Sequence, residues 1–158
     1  MDLKIPSPLK AEHDGLHAEL GRATLAGGRT GAAAQEVARL LHPHFLKEEA
    51  FALPPLGLLA ATARGEDPPP GAAETAVAMA ERLRAEMPEM LAEHGRIVGA
   101  LDALAAAAGM EGHTEVARFA EALKQHARTE EEVLYPAAIL LGEHLRRGAG
   151  PAATRTRA

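Results

Sequence analysis

Six residues carry the chemical potential of this 158-residue chain: His13, His44, Glu48, His94, His126 and Glu130. They occur in two kinds of segment. His13 and His94 each follow an Ala-Glu pair, and apolar residues recur three and seven positions on, at Leu16 and Leu20 in one case and Ile97 and Leu101 in the other. The second kind is His-x-x-x-Glu-Glu closed by proline. His44, Glu48, Glu49 and Pro54 stand at offsets 0, 4, 5 and 10, as do His126, Glu130, Glu131 and Pro136. Residues four apart share one face of an α-helix, so Glu48 projects beside His44 and Glu130 beside His126. Apolar neighbours turn these faces inward: Leu9, Leu16 and Leu20 for His13; Val37, Leu40, Leu41 and Phe51 for His44; Leu91, Ile97, Val98 and Leu101 for His94; Phe119, Leu123 and Val133 for His126. A single histidine on an apolar stripe is ordinarily a hydrogen-bonded core residue. Four imidazoles and two carboxylates converging without a cation would instead leave polar or charged atoms buried at several kcal/mol each. This donor set suits iron, with manganese or zinc as alternatives, and two carboxylates reaching across a bundle suit the bridging of two ions.

His17 breaks the symmetry between the halves. It follows His13 by one turn, whereas the matching position after His94 is Val98, and it reads as a third nitrogen ligand on one metal. His42 points away from His44, His113 opens a helix and His144 lies near the C-terminus, so these three are expected to be non-ligands. Glu12, Glu49, Glu93, Glu131 and Glu132 flank the core positions and read as the solvated side of each helix, where an occasional one orients a ligand.

The elements that position these groups are all helical, because apolar residues recur at steps of three and four and no alternating strand pattern stands out. Helices are expected at residues 9–25, 32–53, 72–108 and 114–145, with Ser7 as the first N-cap, Pro43 and Pro88 inside helices, a bend or break at Pro136 and a turn at 109–112. A short apolar segment at 56–63 and the Gly-Glu-Asp-Pro-Pro-Pro-Gly linker at 65–71 separate two halves of similar length. His13 to His44 spans 31 residues and His94 to His126 spans 32, so the halves keep nearly one register. The expected fold is all-α, an up-and-down antiparallel four-helix bundle with an internal pseudo-twofold repeat. It occupies residues 1–145, with 146–158 as a disordered tail.

Composition narrows the function. There is no cysteine, which excludes disulfides, iron-sulfur clusters, thiolate zinc sites and thiol catalysis. With 17 basic against 22 acidic residues and 3% aromatics, a nucleic-acid partner is not expected. No apolar run approaches 18 residues and the charged N-terminal segment has no signal-peptide core, so neither a membrane span nor export is expected and the protein reads as cytoplasmic. No histidine is preceded by glutamate at three residues, which argues against the Glu-x-x-His signature of ferritin-like di-iron proteins.

The segments AEHDGLHAEL, HFLKEEAFALP, AEHGRIVGAL and HARTEEEVLYP, in that order, resemble the hemerythrin family, also called the HHE cation-binding domain, over roughly residues 8–141. The resemblance implies a non-haem di-iron centre in which His13, His44, His94 and His126 each bind one iron, Glu48 and Glu130 bridge the pair, and an oxo or hydroxo group completes the bridge. Oxygen-carrying members resemble this with five histidines, two of them in the third helix. Here Met90 and Val98 stand where the additional one would be, and His17 is the substitute. On that assignment His13, His17 and His44 crowd one iron, while the iron on His94 and His126 keeps an open position near Val98 and Gly99. The implied function is binding or sensing of oxygen or nitric oxide. The alternatives are a di-iron enzyme acting on peroxide or nitric oxide, and a protein that sequesters or delivers iron. Signalling or redox turnover would require a separate partner protein.

Overall fold

The computed structural model describes residues 2–148. Among them every regular element is helical, and the arrangement is a helical bundle. Helix α1 spans Ser7–Thr24; Pro6 occupies the cap position and no side chain caps it, so Ser7 is the first helical residue rather than the N-cap. Helix α2 spans Gly28–Lys47 and includes Pro43. It begins four residues before the expected start because Glu111, distant in sequence, accepts hydrogen bonds from the backbone N–H groups of Arg29 and Thr30, both at 2.9 Å. These are free donors of the first turn, which a carboxylate satisfies well.

Helix α2 continues as a π-helical turn, Glu48–Ala52, in which Leu53 N–H donates to the carbonyl of Glu48, five residues back, at 2.9 Å. A 3₁₀ segment, Pro54–Leu58, and a short helix α3, Leu59–Ala63, lead into the exposed 65–71 linker. Helix α4, Ala72–Glu111, has 40 residues, runs through Pro88 and past the expected turn at 109, and stops at Gly112, whose φ of 78° suits glycine. At about 1.5 Å per residue it is about 60 Å long. Helix α5, Thr114–Thr129, passes through a second π-helical turn, Glu130–Leu134, into helix α6, Tyr135–Gly148. At the expected bend or break at Pro136 the chain changes helical pitch, with helical residues continuous from Thr114 to Gly148. Of the expected tail, 146–148 belong to α6 and 149–158 lie outside the described residues.

Both π-turns precede proline, which has no N–H to donate and clashes with the carbonyl four residues back. Helix α4 packs on α2, α5 and α6, and α1 packs on α2 and α5. One apolar cluster gathers Leu20, Val37, Leu41, Ile97, Leu101, Leu104, Phe119 and Leu123. A second gathers Phe51, Leu53, Leu56, Leu83, Met90, Tyr135 and Ala138. On α4 and along α5 and α6 the site residues lie in sequence between these two clusters, so polar groups there are held in a layer with hydrocarbon on both sides. No helix among the described residues is long and apolar enough to cross a membrane.

Candidate metal centre

Helices α1, α2, α4 and α5 deliver His13, His44, His94 and His126, and the two π-turns deliver Glu48 and Glu130 as their first residues. All six are at most 5% exposed. Their donor atoms form two groups, His44 with Glu48, His94 and Glu130, and His13 with His126 and Glu130; within each, one atom per residue lies within 4.8 Å of every other. Glu130 belongs to both. Glu48 also approaches the second group, its Oε2 lying 3.7 Å from His13 Nε2.

The grouping crosses the two halves of the sequence. It differs from the expected pairing of His13 with His44 and of His94 with His126: His44 falls with His94, and His13 with His126. His17 is not brought to either group. Phe45 fills the intervening space, stacked on His13 at 4.3 Å between centroids and meeting the edge of His17 at 4.9 Å. His17 is exposed and lies 6.1 Å from the ring of His42. His42 and His144 are also exposed, and His113 occupies the cap of α5. Val98 is half-buried and Gly99 exposed, outside both groups.

The outer nitrogens of the imidazoles meet carboxylates. His44 Nδ1 lies 2.7 Å from Glu93, His94 Nδ1 2.8 Å from Glu131 and His126 Nδ1 3.0 Å from Glu12. An ionised carboxylate only accepts, so each Nδ1 carries the hydrogen and each Nε2 of a neutral ring presents its lone pair inward. Glu93 is held in turn by Lys47. His13 is the exception, its Nδ1 being 3.8 Å from Glu49. Glu132 is exposed. Three of the five flanking glutamates therefore hold an imidazole, more than the expected occasional one.

This geometry is a test of fit for a cation. His44 Nε2 and His94 Nε2 are 2.8 Å apart, and with both Nδ1 atoms protonated two lone pairs face each other unless a proton or a metal ion lies between them. Among the described residues, His13 Nδ1 and Glu48 Oε2 are buried without a hydrogen-bond partner. Such orphaned atoms are costly in a core, and nitrogen and carboxylate donors are what a borderline divalent or trivalent ion takes. The residues fit a metal.

The imidazoles and carboxylates of the centre shift one another's protonation. Burial opposes charging His126, but its hydrogen bonds and proximity to Glu130 and Glu12 prevail and raise it to about 9. His44 is raised against burial in the same way by Glu48 and Glu93. Burial alone would push Glu130 up, yet hydrogen bonding with His126, His13 and His94 holds it well below the usual carboxylate range. Glu48 is raised, by burial first and then by the charge of Glu130.

One polar residue at the site escaped sequence reasoning. Tyr135, fully buried, donates its phenol O–H to Glu48, and its Oη lies 3.4 Å from His44 Nε2 and 3.3 Å from His94 Nε2. At 100° per residue, position 135 lies nine steps and 180° from His126, on the opposite face. The π-turn absorbs one residue and brings it to about 80°. The available signal was Pro136. For the same reason Val133, expected beside His126, is 55% exposed.

A family model described as hemerythrin HHE cation binding domain matches residues 5–138. No curated protein and no solved structure matches the chain. With a buried His/Glu centre suited to metal and a match spanning all of the helices that carry it, this chain belongs to the hemerythrin HHE cation-binding domain family.

Proposed function

We propose that the protein holds two iron ions, one at each donor group, and uses the reduced centre to bind a diatomic ligand, oxygen or nitric oxide. The observation that carries this reading is the sharing of Glu130 by two adjacent His/Glu groups. A carboxylate within reach of both groups is what a two-ion centre requires, and Glu48 extends toward both as well. When bound, reduced iron supplies the electrons that bind such a ligand. The chain's own residues do the rest. His13, His44, His94, His126, Glu48 and Glu130 provide donors, and Glu12, Glu93 and Glu131 fix the imidazole tautomers from behind. The apolar clusters on either side keep water from the centre.

The outer pairs also support an up-and-down antiparallel bundle with a pseudo-twofold repeat. Glu93 with His44 matches Glu12 with His126, and Glu131 with His94 matches Glu49 with His13. His17, packed behind Phe45, does not enter this reading as a ligand.

The test is to load the protein with ferrous iron anaerobically and add oxygen or nitric oxide in separate stopped-flow experiments. Saturable, reversible spectral change with about one ligand per iron pair supports binding. Sustained consumption of the ligand would replace this reading with an enzymatic one. Rapid surrender of iron to a chelator, with no ligand-dependent spectrum, would replace it with iron handling.

A further inference from the structure

We infer that Tyr135 is a fifth donor to the cation held by His44, Glu48, His94 and Glu130, so that the two metal positions are chemically unequal. The inference rests on the metal-binding reading above and adds to it a ligand outside the four histidines and two glutamates.

A residue that merely supports a metal ligand stands behind it, as Glu93 and Glu131 stand behind the Nδ1 atoms of His44 and His94. Tyr135 stands in front. Its Oη is 3.4 and 3.3 Å from the Nε2 atoms, the nitrogens left to face a cation, and it is hydrogen-bonded to Glu48 Oε1. Three of the four donors of this group therefore converge on the phenol oxygen, which lies among the donor atoms themselves. The ring is fully buried and stacked on that of His94 at 5.7 Å, so the oxygen is held in place.

The second group has no such donor. The position matching Tyr135, one before Pro54, is Leu53, buried in the apolar cluster. One cation thus gains phenol oxygen and the other does not. Metal binding at the first position displaces the phenol proton to solvent, as it does for other protonated ligands, and leaves phenolate as the donor.

The chain makes this measurable, because Tyr135 is its only tyrosine and it has no tryptophan. Phenol absorbance therefore reports this residue alone. The experiment titrates the metal-free full-length protein with zinc, following bound metal per chain and the ultraviolet difference spectrum together, and then records the visible spectrum of the ferric protein. The expected result is one tyrosinate signal per two zinc ions and, with ferric iron, a phenolate-to-iron charge-transfer band. Both should vanish in Tyr135→Phe, which keeps the ring in the core. Zinc binding at one position should weaken by more than the about 10–100-fold that follows loss of an outer hydrogen-bond partner. Metal bound with no change in phenol absorbance, or a ferric spectrum identical in Tyr135→Phe, would overturn the inference and leave the metal centre standing. Failure to bind either metal would overturn both.

Discussion

Replacing Glu130 by alanine removes the one carboxylate that both donor groups contain. Its carboxylate faces the Nε2 atoms of His126, His13 and His94 at 2.8, 3.3 and 3.4 Å. Against the burial that opposes charge, Glu130 leads the rise of His126 from 6.5 to about 9. That rise corresponds to about 3 kcal/mol between protonation states, part of it owed to Glu12. Breaking a buried charge pair costs about 3–5 kcal/mol by independent measure, because the surviving partner is left uncompensated. The metal-free variant should therefore lose about 3–5 kcal/mol. At about 2–4 °C per kcal/mol for a chain of this size, its Tm should fall by about 6–20 °C. In the loaded protein each ion loses a donor. Loss of an outer hydrogen-bond partner alone weakens metal binding by about 10–100-fold, so loss of a ligand common to both ions should weaken it further and take occupancy below one ion per chain. Calorimetry of the metal-free protein at neutral pH reads the first effect, and elemental analysis after gel filtration reads the second. Glu130→Gln, which keeps the volume, separates charge from cavity. Two ions per chain and an unchanged Tm in Glu130→Ala would refute the reasoning.

Other consequences are equally direct. A Cβ added at Gly142 of α6 would overlap the Cβ of Ala80 on α4, so Gly142→Ala should cost about 1–3 kcal/mol in urea unfolding. Ala80→Gly should restore the loss; an unchanged midpoint in the single variant would mean that the two helices do not depend on close approach. Glu111 is held at about 2 by hydrogen bonds from the Thr30 hydroxyl and from the backbone of Thr30 and Arg29. A lowered carboxylate stabilises above its ordinary value of 4.5 and stops doing so as pH falls toward 2, so wild type should lose stability over that window more steeply than Glu111→Gln. Superimposable acid limbs would remove Glu111 from its capping role. His17→Ala should leave metal content unchanged, since His17 is exposed and Phe45 separates it from His13. A loss of one ion per chain would return His17 to the ligand set.

The six inward-facing donors were legible because α-helical periodicity holds from the start of each helix up to its histidine and the glutamate one turn later. Beyond Glu48 and Glu130 it fails. A proline six positions beyond the π-turn's start is visible in sequence, but the i→i+5 hydrogen bond there is not deducible from apolar spacing, so Val133 is assigned to the inward face and Tyr135 to none. Leu91 failed for another reason. It and Met90 flank the inward direction of His94, and Met90 takes the buried place while Leu91 remains 42% exposed. The start of α2 and the pairing of His44 with His94 depend on Glu111 and on the neighbours of α4, contacts between residues distant in sequence. The halves of the chain advertise their likeness, but nothing in the string of residues says which helix of one half lies against which of the other.

The central claim is a buried two-iron centre. Its most direct test is elemental analysis of protein purified from iron-supplemented growth, with an absorption spectrum of the same sample before anaerobic reduction, after it, and after return to air. Two irons per chain are expected, with visible bands that bleach on reduction and reappear in air. Metal no higher than trace in folded protein would contradict it.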